Sequence, residues 1–202
     1  MHLTTAEKKC IGDRVAHLES RAGVEIVITI VGKCDAYPEA PWKAFALFSA
    51  LGALTAGAVL QHAVPAGLAF LGAGAVAALA ATFVPAFARL FVGRERRDAE
   101  ARQYAAAHFL ENGLSRTNRH NAVLMLIGLF ERNVVILPDA GLPLASAESQ
   151  DVIARMTPRL AAGKVALALH DGMDALEALL VAKGFRGGGG EIAQAIVEEK
   201  GA

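Results

Sequence analysis

Charged side chains are missing from one long stretch of this chain: none occurs from Ala44 to Ala88, between Lys43 and Arg89. A folded domain rarely buries so long a run without one Asp, Glu, Lys or Arg. Cysteine is nearly as scarce. The only two, Cys10 and Cys34, make neither a metal-site spacing nor a Cys-x-x-Cys redox motif. Both are expected to be buried structural thiols in a reducing compartment. Excess charge of either sign is also absent, since 20 Lys and Arg balance 20 Asp and Glu. That removes the electrostatic footprint of a nucleic-acid binder. Met1 to Glu19 has no apolar h-region and no small-residue cleavage site, so no export signal is expected.

The charge-free stretch breaks once, at Gln61-His62-Ala63-Val64-Pro65, into two apolar runs. Each is near the ~20 residues that cross a hydrocarbon core of ~30 Å. The expectation is a transmembrane helical hairpin over 44–88, placed in the bacterial inner (plasma) membrane with the lipid bilayer as partner. Arg89, Arg94, Arg96, Arg97 and Arg102 follow the second run. Basic residues gather on the cytoplasmic side, so both termini and the polar domain are expected there. Small residues recur at four-residue spacing, as Ala69, Ala73, Ala77 and Ala81, as Gly74 with Ala78, and as Gly52 with Ala56. Such faces allow close helix packing, between the two helices or in a homodimer. With no ionisable residue inside, the hairpin reads as an anchor and not as a transporter.

The polar remainder shows alternating elements. Thr4-Thr5-Ala6-Glu7 has the form of a capping box, Ile11, Val15 and Leu18 share one helical face, and Gly23 suits the stop. Val24 to Val31 is β-branched and nearly continuous in apolarity, as in a buried strand. A charged helix is expected from Arg94 to Glu111. Two strands follow, 121–130 and 134–137, about a short polar turn. Helices are expected near 147–160 and 165–182, with Pro158 bending the first or ending it early. The tail, 186–202, is expected to be flexible, with four glycines (Gly187–Gly190) and a short charged helix.

That order resembles the TPM domain family, named for a thylakoid lumen protein, a photosystem II repair protein and a modulator of the levamisole receptor. The resemblance rests on Leu3-Thr4 with Glu7, on Gly23-Val24-Glu25-Ile26-Val27-Ile28, and on Arg116-Thr117 with Arg119 and Asn121-Ala122-Val123-Leu124. It extends through Glu131-Arg132-Asn133-Val134 to Asp139-Ala140-Gly141. It covers most of 1–43 and 94–185. The implied fold is a small three-layer α/β/α domain in two parts, 1–43 and 89–185, with the hairpin inserted after the first strand. Family members usually carry a signal peptide, an exported domain and one carboxy-terminal span, and the anchor position and the side expected here both depart from that arrangement.

Some relatives are described as acid phosphatases and some as calcium-binding. For phosphoryl transfer, which needs stabilisation of charge on the moving group, the candidates are Arg116, Arg119 and His120 in the turn, with Asp139 after the next strand. A capped, solvated loop accounts for the same turn. Calcium requires several converging oxygens. Asp139, Glu148 and Asp151 are the candidates, although turn formation and helix-start charges explain them equally well. His170 with Asp174 makes at most two ligands, and His108 with Glu111 reads as a solvated face. Gly187–Gly190 is followed by Glu191 and fails as a phosphate loop. The expected role is a non-catalytic accessory domain for a membrane-protein partner, requiring no cofactor. The alternative is a membrane-tethered phosphatase-like hydrolase, a phosphomonoesterase working with or without a metal ion.

Overall fold

The computed structural model describes residues 3–59, 63–117, 120–187 and 196–201, with side chains described outside 56–66. Residues 1–34 and 100–201 form one compact unit and residues 35–99 another.

In the first unit, α1 (Thr5–Ala22) opens with the expected reciprocal cap. Glu7 N–H donates to Thr4 Oγ1 at 3.3 Å, and the Glu7 carboxylate accepts from Thr4 N–H at 2.8 Å. Gly23 closes the helix in the left-handed conformation, φ 67°. β1 (Glu25–Val31) and β2 (Ala122–Gly128) are parallel neighbours, buried at every position. Their continuous apolarity follows from helices on both faces. β3 (Asn133–Pro138) pairs antiparallel with β2, and β4 (Ile196–Glu199) pairs with β1, giving the sheet order β3-β2-β1-β4.

One face of the sheet presents Ile26, Ile28, Val123, Met125 and Ile136 to α1, α6 (Ser146–Ala161) and α7 (Val165–Ala182). The other presents Val27, Val31, Leu124 and Leu126 to Ala101, Ala105 and Phe109 of α5 (Arg94–Glu111) and to Leu114 of a 3-10 turn, Leu114–Arg116. This unit is thus a mixed α/β fold, a four-stranded sheet with helices packed on both faces.

Four expectations are corrected here. The tail does not carry a charged helix at its end, because Ile196–Glu199 is β4, parallel to β1. Pairing with a free sheet edge, which local sequence does not display, decides this. Pro158 does not end α6, which runs on to Ala161 although the ring removes the N–H that would bond to the Ala154 carbonyl. Cys10 is exposed, and only Cys34 is buried. His108 is buried at 5% exposure because its helix face is turned to the sheet.

In the second unit, α2 (Glu39–Val59) and α3 (Ala63–Phe83) pack on each other, followed by the short α4 (Pro85–Ala88). The small residues serve that contact: a Cβ on Gly52 would lie 2.9 Å from the Phe70 Cα, and one on Gly74 would lie 2.0 Å from Ser49 Oγ. Ala44, Ala77 and Ala81 are buried beside Phe48, Phe87 and Phe91. α2 and α3 thus overlap the expected 44–88, with α2 starting at Glu39 and α3 ending at Phe83. The expected membrane crossing is not carried: among the described residues no helix is long and apolar enough to cross a membrane.

Candidate functional site

Three turns meet where β1 and β2 begin and β3 ends. The α1–β1 turn passes so close to the segment after α7 that a Cβ on Gly23 would lie 2.2 Å from the Gly187 carbonyl oxygen. Gly187 N–H donates to the Arg21 carbonyl at 3.0 Å. Asn121, 6% exposed, ties this turn to β2: its side-chain amide donates to the Gly23 carbonyl, and its backbone N–H donates to Thr117 Oγ1 at 3.3 Å. His120 lies in the left-handed region, φ 49°, and its carbonyl accepts from Gly141 N–H at 2.8 Å. That bond and the one from Asp139 N–H to the Ala122 carbonyl, 2.8 Å, dock the loop after β3 against the start of β2.

The docking brings two of the sequence candidates together. His120 Nδ1 lies 3.5 Å from Asp139 Oδ2, with the imidazole side chain 61% exposed and the carboxylate side chain 7% exposed. Asp139 Oδ1 accepts from Ala140 N–H at 2.7 Å. Among the described residues, no hydrogen-bond donor reaches the buried Asn121 Oδ1 or the buried Asp139 Oδ2, the oxygen that faces His120. An unsatisfied buried acceptor is costly and calls for a donor from outside the described residues. An accessible imidazole beside a buried carboxylate can relay a proton to or from a molecule at the rim.

The other candidates do not join them. Arg116 ends the 3-10 turn with an exposed side chain, and Arg119 lies outside the described residues. Glu148 sits in the first turn of α6, where Oε2 accepts from Ala145 N–H at 2.7 Å and Oε1 pairs with Lys183 Nζ at 2.9 Å. Lys183, and then the Ala145 N–H, hold this carboxyl below the usual range. Asp151 is exposed one turn further along α6. Among the described residues no three His, Cys, Asp or Glu side chains could together hold a metal ion. Two donor-free oxygens fall short of the six to eight that calcium takes, and no step is derived through it.

Two buried carboxylates near this end of the sheet escaped the sequence reading. Glu19 and Glu25 are 8% and 1% exposed. Glu19 Oε1 accepts from Ile26 N–H at 2.9 Å, and burial pushes its pKa up to about 7, with the charge of Glu25 adding to the rise. The available signal was one acidic residue inside the apolar run Val24 to Val31.

No curated protein matches this chain. Among solved structures it resembles the NMR structure of BA42 protein from the psychrophilic bacterium Bizionia argentinensis. The TM-score is 0.57 at 13% identity, over 98% of this chain and 96% of that one, a likeness of fold. The TPM domain family model matches residues 81–179, which include β2, β3, His120 and Asp139, whereas the helix and strand of 1–43 lie outside the match. The chain is therefore similar to the TPM domain family over just under half its length.

Proposed function

We propose that this chain is a TPM-type accessory protein whose apolar hairpin seats it in a lipid bilayer beside a membrane-protein partner. One observation carries the reading: the hairpin turns its large apolar side chains outward. Leu47, Leu51 and Leu54 of α2 and Leu68, Leu71, Val76, Leu79 and Phe83 of α3 are all exposed. Contiguous apolar surface of this kind marks membrane or protein contact. Acyl chains suit it because no charged residue interrupts 44–88. Trp42, 72% exposed, and Arg94 sit at the margins, where tryptophan and arginine favour the headgroup layer. The reading rests on these faces and not on span length. The proposed location is the bacterial inner membrane, with both termini and the polar domain cytoplasmic.

The test is affinity purification from mild detergent with mass spectrometry, comparing the full chain with one lacking 44–88. Enrichment of one membrane complex by the full chain alone supports the accessory role. Equal recovery with both chains, or none with either, contradicts it.

The contact between His120 and Asp139 favours a second reading, a membrane-tethered phosphomonoesterase. It requires hydrolysis of a phosphomonoester, with or without added divalent cation, that is lost in both His120→Gln and Asp139→Ala. Equal turnover by the wild type and the variants refutes it.

A further inference from the structure

The face shared by α1 and α7 holds a thiol–imidazole pair that neither reading above uses. The two helices run in the same direction, with Ile11, Val15 and Leu18 of α1 and Leu169, Met173 and Leu176 of α7 in one core cluster. Ionic contacts fix their register. Arg14 reaches Asp174 at 2.6 Å and Glu177 at 2.5 Å, and Arg21 reaches Glu177 at 2.8 Å. Glu177 is only 8% exposed, so these pairs are partly shielded from solvent. One turn before this clamp on each helix stand Cys10 and His170, with Sγ 3.7 Å from Nε2. That is a hydrogen-bond separation for sulfur, and Cys10 is a free, exposed thiol.

We propose that Cys10 is a site of reversible S-thiolation by low-molecular-weight disulfides of the glutathione class, with His170 as its proton acceptor. The Cys10 S–H proton passes to His170 Nε2. The thiolate attacks one sulfur of the disulfide, a new S–S bond forms at Cys10, and the other sulfur leaves as a thiolate that takes up a proton. The disulfide is reduced at one sulfur and Cys10 is oxidised, so the exchange balances without further reagents. Exposure and a neighbouring base are what distinguish reactive from inert thiols. Cys34 is the internal control. It is 7% exposed, and burial, reinforced by Glu131, pushes its thiol well above the usual range.

The full chain in mild detergent is treated with oxidised glutathione between pH 6 and 8.5, and the adduct is located by peptide mass spectrometry. The adduct is expected on Cys10 at least about tenfold faster than on Cys34. His170→Gln should slow it about tenfold near pH 7, with the two rates converging at high pH, where hydroxide removes the proton in both. Convergence is a readout that a merely structural histidine would not produce. Equal rates in wild type and His170→Gln at every pH overturn the proposal, as does faster modification of Cys34. If His170→Gln fails to fold, His170→Asn takes its place, and the wild type alone still supplies a second readout: modification of Cys10 no faster than that of Cys34 overturns the proposal.

Discussion

Glu19→Gln isolates the one carboxylate whose protonation the fold controls most visibly. Burial of Glu19, only partly offset by the bond from Ile26 N–H, moves its pKa from 4.5 to about 7. A folded-state value above the unfolded one means that the protonated form is favoured by folding. The contribution is fully present below pH 4.5 and lost as pH rises through 7. At ~1.4 kcal/mol per pH unit the interval is worth at most ~3.5 kcal/mol, and partial access of water to the carboxylate reduces this to about 1–2 kcal/mol. Glutamine keeps the acceptor for Ile26 N–H and cannot ionise. Urea unfolding of the wild type and Glu19→Gln in the same detergent, at pH 5 and pH 8, measures the difference. The variant should be near-neutral at pH 5 and about 1–2 kcal/mol more stable than wild type at pH 8. An identical difference at the two pH values would refute the assignment of the pH dependence to Glu19.

Three further outcomes follow from the same geometry. Asp139→Asn keeps the acceptor for Ala140 N–H while removing the charge on the donor-free buried oxygen; urea unfolding should show a gain of about 1 kcal/mol, as when a site held for function is relaxed. Thr4→Ala removes the reciprocal cap of α1 and should cost about 1 kcal/mol in the same assay. Gly52→Val drives a side chain into the Phe70 backbone, so spin labels on α2 and α3 should report a wider separation, at a cost of about 1–3 kcal/mol.

The sequence displayed what local chemistry decides. The cap at Thr4 and Glu7, the stop at Gly23 and the buried strands 25–31 and 122–128 all stand close to where periodicity placed them. The approach of His120 to Asp139 was half legible. A short turn between two strands implies a hairpin, and its register, Val123 opposite Pro138, then sets the residues on either side together. What remained hidden depends on the other partner. β4 is a strand because β1 offers an edge. Cys10 is exposed because the buried face of α1 is set by Ile11, Val15 and Leu18. Glu19 and Glu25 are buried beside one another only because α1 folds back on β1.

Membrane retention tests the central claim most directly. Membranes from cells producing the full chain are washed at alkaline pH in carbonate, beside a variant carrying Leu51→Asn, Leu54→Asn, Leu71→Asn and Val76→Asn on the exposed faces of α2 and α3. Retention of the wild type in the pellet and release of the variant is the predicted result. Release of both would show that the outward leucines are not seated in lipid.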